Sequence, residues 1–404
     1  MQFILLALLT GSTLTMWVAG WWAQCLFELA IFVFAAYLAC RHRPGGSELT
    51  AAGLFAVPAL WGAGQLAFGV TVDGAATLQE LLQWTSLAAT AFCAGVLARR
   101  QAAARPIIVS LALAGCAIVV FALVQFYSSA GHFFWRWPSG EPQVFGPFHS
   151  RNNFASFCCL ILPLTLWRSV QKSDTVTLWV IFSAILVSGA VVSGSRAGAF
   201  LAIAETIVFL FWLPKRRLAT PRHSLALLAA VSLAVVVVGW DTLAGKINQQ
   251  DPLRYRREIA QSALAMLVAK PWTGFGLGTF SQVYPAYAKF DTGLLVNHAH
   301  QEWLEFASEG GVVLGTYLAV LAIWLSRLAV THLWAVGIPA LCLHSLVDYP
   351  FQRNGIAAWV SALAGILVFY SRQRSQPPCT PGAVQEKLHT GTPRPETIET
   401  FTGS

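Results

Sequence analysis

The sequence predicts an all-α polytopic membrane protein, and three observations carry that reading. First, hydrophobic residues make up 56% of the 404 and charged residues only 11%, with a mean hydropathy of +0.60. A soluble chain carries roughly 25% charged residues, so this one lacks the polar groups to cover a globular surface. Second, the apolar runs are long enough for spans of about 20 residues. A transmembrane barrel would instead show alternating segments of about ten residues. Third, basic residues cluster at every second run end. A cytosolic enzyme, a disordered protein and a nucleic-acid-binding module are excluded, and the net charge of +8 is read by location.

About twelve spans are expected, near 3–20, 23–40, 51–71, 80–98, 106–127, 152–168, 175–193, 197–213, 223–240, 302–326, 332–349 and 356–371. The opening MQFILLALLT has no basic leader and no small-residue cleavage site, so it reads as a retained first helix. Gly20-Trp21-Trp22 is the turn separating it from the second. Arg41 and Arg43 follow the second run, and Arg99, Arg100 and Arg105 the fourth. Arg168 and Lys172 follow the sixth, and Lys215, Arg216, Arg217 and Arg222 the eighth. Arg327 follows the tenth, and Arg372 and Arg374 the last. Short basic loops stay on the cytoplasmic side, so those ends and both termini are expected there. The bundle then covers 1–371, including two long outer loops near 128–151 and 241–301, the larger one partly helical. The Pro- and Thr-rich stretch 372–404 is expected to be a disordered cytoplasmic tail. Most of the eight cysteines lie in or beside apolar runs with no CxxC pair, which suits buried thiols better than metal or disulfide frameworks. Glu28 and Glu205 fall inside spans, where interhelical hydrogen bonds are expected.

The chemistry concentrates on the outer face. The larger loop sets Lys246, Arg254, Arg256, Arg257, Lys270 and Lys289 against Asp241, Asp251, Glu258 and Asp291. It is either a solvated, salt-bridged loop or a surface that binds an anion. Arg254-Tyr-Arg-Arg opens an amphipathic stretch with Ile259, Ala263, Met266 and Leu267 on one face, ended by Pro271. Asp251-Pro252 suits its N-cap and first position, and the helix should lie on the membrane or pack over the bundle. GFGLGTF at 274–280 is expected to be a turn into a short element, because a dinucleotide-binding Gly motif needs a βαβ unit. Asn297-His298-Ala299-His300-Gln301-Glu302 follows. An HxH pair can hold a metal, but positions i and i+2 do not share a helical face, and no third His or Cys ligand is near. One imidazole is expected to enter the site as a general base, since histidine titrates close to neutral pH.

Arg196, in SGSRAG, sits at the outer junction of the seventh and eighth spans. An arginine at such depth is either functional or snorkels to the headgroups. Arg151 opens the sixth span, and Asp348 in HSLVDYPFQRN closes the eleventh, where it is expected to pair with one of these arginines. Arg151, Arg196, Arg256 and His300 thus fall on one face. Planar guanidinium forks suit phosphate oxygens, which points to an anionic, pyrophosphate-bearing lipid substrate. Asp occurs only at 73, 174, 241, 251, 291 and 348, so there is no DxD pair. The arginines are expected to neutralise the charge themselves, with no metal and no cofactor.

Four segments occur in order: FGPFHSRNNFASF (145–157), SGSRAGAF (193–200), RREIAQSALAMLVAKPWTGFGLGTF (256–280) and YPAYAKFDTGLLVNHAHQEWLEFASEGG (284–311). Through them the chain resembles, from about residue 140 to 353, the bacterial O-antigen ligase/polymerase family of inner-membrane glycosyltransferases. The first five spans match only in being apolar. The resemblance implies metal-independent transfer of a glycan from undecaprenyl pyrophosphate to a lipid A–core sugar hydroxyl at the periplasmic face of the inner membrane. It implies catalytic roles for Arg196, Arg256 and His300, the last because His300-Gln301 fits the family's histidine rule and His298-Ala299 does not. Arg151, Arg254, Arg257, His298 and Asp348 are then expected to bind the pyrophosphate or glycan. Gly310, Gly311 and Gly315 lie a residue off the family's glycine spacing. Two alternatives stay open: a polysaccharide polymerase of the same family, and a lipid-linked glycan transporter. A transporter should carry midplane polar residues on broken helices, whereas the polar cluster here lies at one face.

Overall fold

The computed structural model describes residues 1–18, 20–100, 105–171, 175–216, 254–289 and 295–375. The expected ninth span, the Asp251-Pro252 cap and the tail beyond 375 lie outside the described residues, as does the Arg254 side chain. The protein is an all-α polytopic membrane protein. Its helices are α1 (Gln2–Leu14), α2 (Trp22–Arg41), α3 (Gly46–Ala67), α4 (Gly74–Arg100) and α5 (Arg105–Ser128). They continue with α6 (Arg151–Ser169), α7 (Val176–Val192), α8 (Arg196–Arg216), α9 (Arg254–Ala269) and the single turn α10 (Phe280–Val283). The last three are α11 (Glu302–Ala329), α12 (Gly337–His344) and α13 (Asn354–Ser375).

Six of the described helices, α2, α3, α4, α5, α11 and α13, are long and apolar enough to cross a bilayer. The expected eleventh span is not one helix. It is a 3-10 turn (Leu333–Ala335) followed by α12 of 8 residues, only about 12 Å long at 1.5 Å per residue. Trp334 contacts Tyr370 near the C-terminal end of α13. His344, at the other end of α12, meets Ser156 near the start of α6. The chain therefore returns towards the site through a short, broken segment.

Local chemistry starts the elements. Asp73 Oδ1 accepts from the Ala75 and Ala76 N–H groups at 2.9 and 3.2 Å, beginning α4 six residues before the apolar run itself. Ser150 caps α6 through Asn152 N–H at 3.2 Å. Helices α4, α6 and α13 form the interior and are buried along most of their length, while α2, α3 and α11 turn large apolar side chains outward. Arg99 Nε reaches the buried Glu48 carboxylate at 3.0 Å, pinning α4 to α3 at the basic end.

The 128–151 loop holds a small antiparallel hairpin, His132–Phe133 against Trp137–Pro138. Its aromatics cluster on the end of α1: Trp17 meets Phe133, Phe134 and Trp137 within 5.6 Å, with Phe133 buried and Trp137 exposed. Three smaller expectations need correction. Glu28 accepts from Gln24 on its own helix at 2.9 Å. Both Glu205 carboxylate oxygens are buried without a partner among the described residues. Cys25 and Cys40 are exposed, while Cys93, Cys116, Cys158 and Cys159 are buried.

Candidate functional site

Helix α9 forms where the amphipathic pattern placed it, and it packs over the bundle. Ile259, Ala263 and Met266 are buried against Phe275, Phe280, Tyr284 and Ala299 in a second apolar core. The glycine-rich turn after it locks into a kink of α11. Gly311 has φ +75°, and a Cβ there would collide with the Trp272 carbonyl oxygen. A Cβ on Gly274 would likewise collide with the Glu309 carbonyl. Only glycine tolerates both the dihedral and the contact. Val312 N–H donates to Pro271 O at 2.7 Å, Gly276 N–H to Glu309 O at 3.0 Å. Gln65 of α3 completes the lock, donating to Thr273 O and Glu309 O at 2.7 and 2.8 Å. The expected uninterrupted tenth span is thus two helical pieces, and the first carries the site.

Just before that first piece, His300 adopts φ +53°. Left-handed backbone is uncommon for a residue with a side chain, and such strain clusters at functional sites. The twist sends the two imidazoles apart. His298 Nδ1 lies 2.8 Å from Glu305 Oε1, while Glu305 Oε2 accepts from Ala299 N–H at 2.7 Å. His300 Nδ1 lies 3.4 Å from Asp348 Oδ1. Tyr349 stands between them, stacked on His298 at 4.3 Å and edge-on to His300 at 4.9 Å. The Arg353 guanidinium covers the Tyr349 ring at 5.1 Å.

Arg256 joins the same cluster from α9, with Nη1 donating to Val347 O at 2.7 Å. The expected arginine partner of Asp348 is therefore corrected: the buried carboxylate pairs with His300, and Arg256 holds the neighbouring carbonyl. His344 lies within electrostatic range of both Asp348 and Arg256, and its Nδ1 is 2.8 Å from Ser156 Oγ in α6. That contact ties the cluster to the helix Arg151 opens. Helices α6 and α8 start side by side, because Gly198 lets Ala155 approach to within a missing Cβ. Arg151 and Arg196, the first residues of those helices, thus share one end of the bundle. Arg196 is half-buried; Arg151 and Arg257 are exposed. No hydrogen bond or ion pair among the described residues joins Arg151 to the histidines.

A cavity of about 840 Å³ opens beside this cluster, between α1, α2, α4, the 278–282 turn and the start of α11. His298, Glu305 and Arg353 line it, as do Glu80 and Glu309; His300, Arg196 and Arg256 lie outside its lining. Glu305, Tyr349 and Arg353 were missed in the sequence. Glu305 lies seven residues after His298, in the first turn of α11, and its reach back to a histidine outside the helix leaves no spacing signature. Among the described residues no group of three His, Cys, Asp or Glu side chains is placed to hold a metal. The arrangement offers two imidazole–carboxylate pairs, an adjacent guanidinium and a half-open polar cavity.

No curated protein matches the chain. A family model described as O-Antigen ligase matches residues 181–319, which runs from α7 through α8, α9 and the two histidines into α11. Three of the four sequence segments fall within this match, which supports membership of the O-antigen ligase/polymerase family.

Proposed function

We propose that the protein is an O-antigen ligase-type glycosyltransferase of the bacterial inner membrane. It moves a glycan from undecaprenyl pyrophosphate to a lipid A–core sugar hydroxyl at the periplasmic face, without metal. The observation that carries this reading is the convergence of Arg256 and His300 on Val347 and Asp348, beside a cavity large enough for a ligand. In the proposed reaction Arg196 and Arg256 hold the pyrophosphate, with Arg151, Arg254 and Arg257 adding positive charge around it. Asp348 orients His300 through Nδ1, leaving Nε2 to take the proton from the acceptor hydroxyl. The acceptor oxygen bonds to the anomeric carbon as the carbon–oxygen bond to pyrophosphate breaks. Undecaprenyl pyrophosphate leaves with its charge matched by the guanidinium forks.

The proposed topology has about twelve crossings, both termini in the cytoplasm, and the 128–151 and 241–301 loops in the periplasm. The basic residues at alternate run ends support it. A polymerase of the same family would use the same site with another lipid-linked glycan as acceptor. Deleting the gene and running lipopolysaccharide and free lipid-linked glycan on a gel separates the two. Loss of the capped ladder with accumulation of polymerised lipid-linked glycan supports the ligase, whereas accumulation of single repeat units supports the polymerase. Product formed by purified protein in detergent, where no gradient exists, excludes a transporter.

A further inference from the structure

One cation in the cavity has no role in the proposed transfer step. Among the described residues that line it, Arg353 is the one Lys or Arg. Its guanidinium lies over the Tyr349 ring at 5.1 Å, a stacking that covers one face and leaves the donor edges of the fork free. Among the described residues no carboxylate pairs with Arg353 and no acceptor takes a hydrogen bond from its side chain. Its Nε is sealed from solvent, but neither Nη atom is. Arg353 O accepts from Ala357 N–H at 2.9 Å, so the residue stands at the N-terminal end of α13. The helix dipole puts positive charge at that end, where an anion is favoured and a cation is not. This half-buried guanidinium therefore sits in a like-charge arrangement that an anionic ligand would relieve.

The rest of the wall suits the oxygens of an anion. The carboxamides of Asn297 and Gln352 line the cavity, and each supplies two N–H donors. Glu80, Glu305 and Glu309 line it too, but their carboxyl groups are engaged or closed off. Glu305 meets His298 Nδ1 at 2.8 Å and Ala299 N–H at 2.7 Å. Glu309 Oε1 accepts from Phe280 N–H at 2.9 Å, and the unpartnered oxygens of Glu80 and Glu309 are sealed from the cavity. Arg196 and Arg256, assigned to the donor pyrophosphate, lie outside the lining. The cation inside it is left for the other substrate. A phosphate gains more than a carboxylate from a guanidinium, a helix N-terminus and amide donors together, because it brings more charge and more acceptor oxygens.

We propose that Arg353 anchors a phosphate group of the acceptor in this cavity, at a site separate from the Arg196–Arg256 clamp. The inference rests on the glycosyltransferase reading. Tyr349, under Arg353, also touches both imidazoles, so an acceptor anchored there lies one aromatic ring from His300. His149 lines the same cavity and supplies a reporter. Partial burial, with the Arg353 charge adding to it, holds the His149 imidazole below its ordinary value, against the pull of the Trp17 carbonyl. A phosphate bound at Arg353 offsets that charge and lets the His149 pKa rise.

The test uses the full-length protein in phosphatidylcholine nanodiscs. Binding of mannose 6-phosphate, mannose and glucuronate is read by saturation-transfer NMR, and the His149 ring is titrated with and without mannose 6-phosphate. The phosphate probe should bind saturably, at least about tenfold more tightly than mannose, the scale of one charge-assisted hydrogen bond. It should also raise the His149 pKa. Both effects should be lost in Arg353→Gln, whereas Arg353→Lys should keep part of the affinity, since the charge remains without the fork. In transfer assays, kcat/KM for the intact lipid A–core acceptor should exceed that for the phosphatase-treated acceptor about tenfold. Arg353→Gln should bring that ratio close to one, a change that general damage to the fold would not make, because damage lowers both values together. Arg353→Lys, which keeps a cation over Tyr349, carries the comparison if the Gln variant does not fold. No saturable binding of the phosphate probe, glucuronate bound as tightly, an unchanged acceptor ratio in both variants, or a KM rise confined to the lipid-linked donor overturns the acceptor subsite. Transfer that persists in those cases leaves the glycosyltransferase reading standing. Phosphate binding that depends on Arg353, without turnover of any lipid-linked glycan, would sink that reading and keep the anion site.

Discussion

Replacing Arg256 is the most direct probe of the proposed pyrophosphate clamp. Its Nη1 bond to Val347 O at 2.7 Å is charge-assisted, a class worth about 1.5–3 kcal/mol. Because the side chain is half-buried, solvent screening puts its share of stability at the lower end, below about 2 kcal/mol. The effect on transfer should be larger. Arg256→Ala removes the fork proposed to meet developing charge on the leaving pyrophosphate, and it frees the backbone beside Asp348 and Tyr349. Losing about 3–4 kcal/mol of transition-state stabilisation, the scale of one preorganised donor, lowers turnover roughly 10²–10³-fold. Arg256→Lys retains the positive charge and should recover part of that, since a point charge cannot replace a bidentate fork. The assay is transfer by purified protein, with thermal unfolding of the same preparations as the control. Arg256→Ala with near-wild-type turnover would refute the clamp. A fall in activity matched by wholesale loss of folded protein would reduce Arg256 to a structural tie.

Other outcomes follow from the same geometry. His300→Ala should cut turnover about 10²–10⁴-fold, the usual scale of general-base assistance, with donor affinity little changed, while His298→Ala should be milder; a dead His298 variant beside an active His300 variant would transfer the base role to the His298–Glu305 pair. Arg196→Ala should abolish transfer and weaken donor binding, and full activity would remove Arg196 from the clamp. Transfer should be unchanged by EDTA if guanidinium groups alone neutralise the leaving group, and a strict Mg²⁺ or Mn²⁺ requirement would contradict that. Gly311→Ala places a Cβ against the Trp272 carbonyl at φ +75°, so unfolding should become easier by about 1–3 kcal/mol for the backbone strain alone; an unchanged melting temperature would show that the kink yields.

By itself the sequence determined the membrane character, the helical class and the residue types of the site. Composition and run length leave no other way to satisfy backbone polar groups in lipid, and the spacing of Ile259, Ala263 and Met266 is visible as a periodicity. The family was legible for a similar reason: its segments are contiguous in the chain. The HxH pair was legible as chemistry but not as geometry. Nothing in His298-Ala299-His300 announces that a left-handed twist at His300 turns the two rings onto different carboxylates, Glu305 and Asp348. Hydropathy also could not break α11 at Gly311 or shorten the segment after it, because a glycine kink and a turn of apolar residues both remain apolar. The cavity was invisible in the same way. Glu80 comes from α4 and Glu305 and Glu309 from α11, far apart in the chain, and only tertiary packing, locked by Gln65 across the 274–278 turn, decides that they line one cavity.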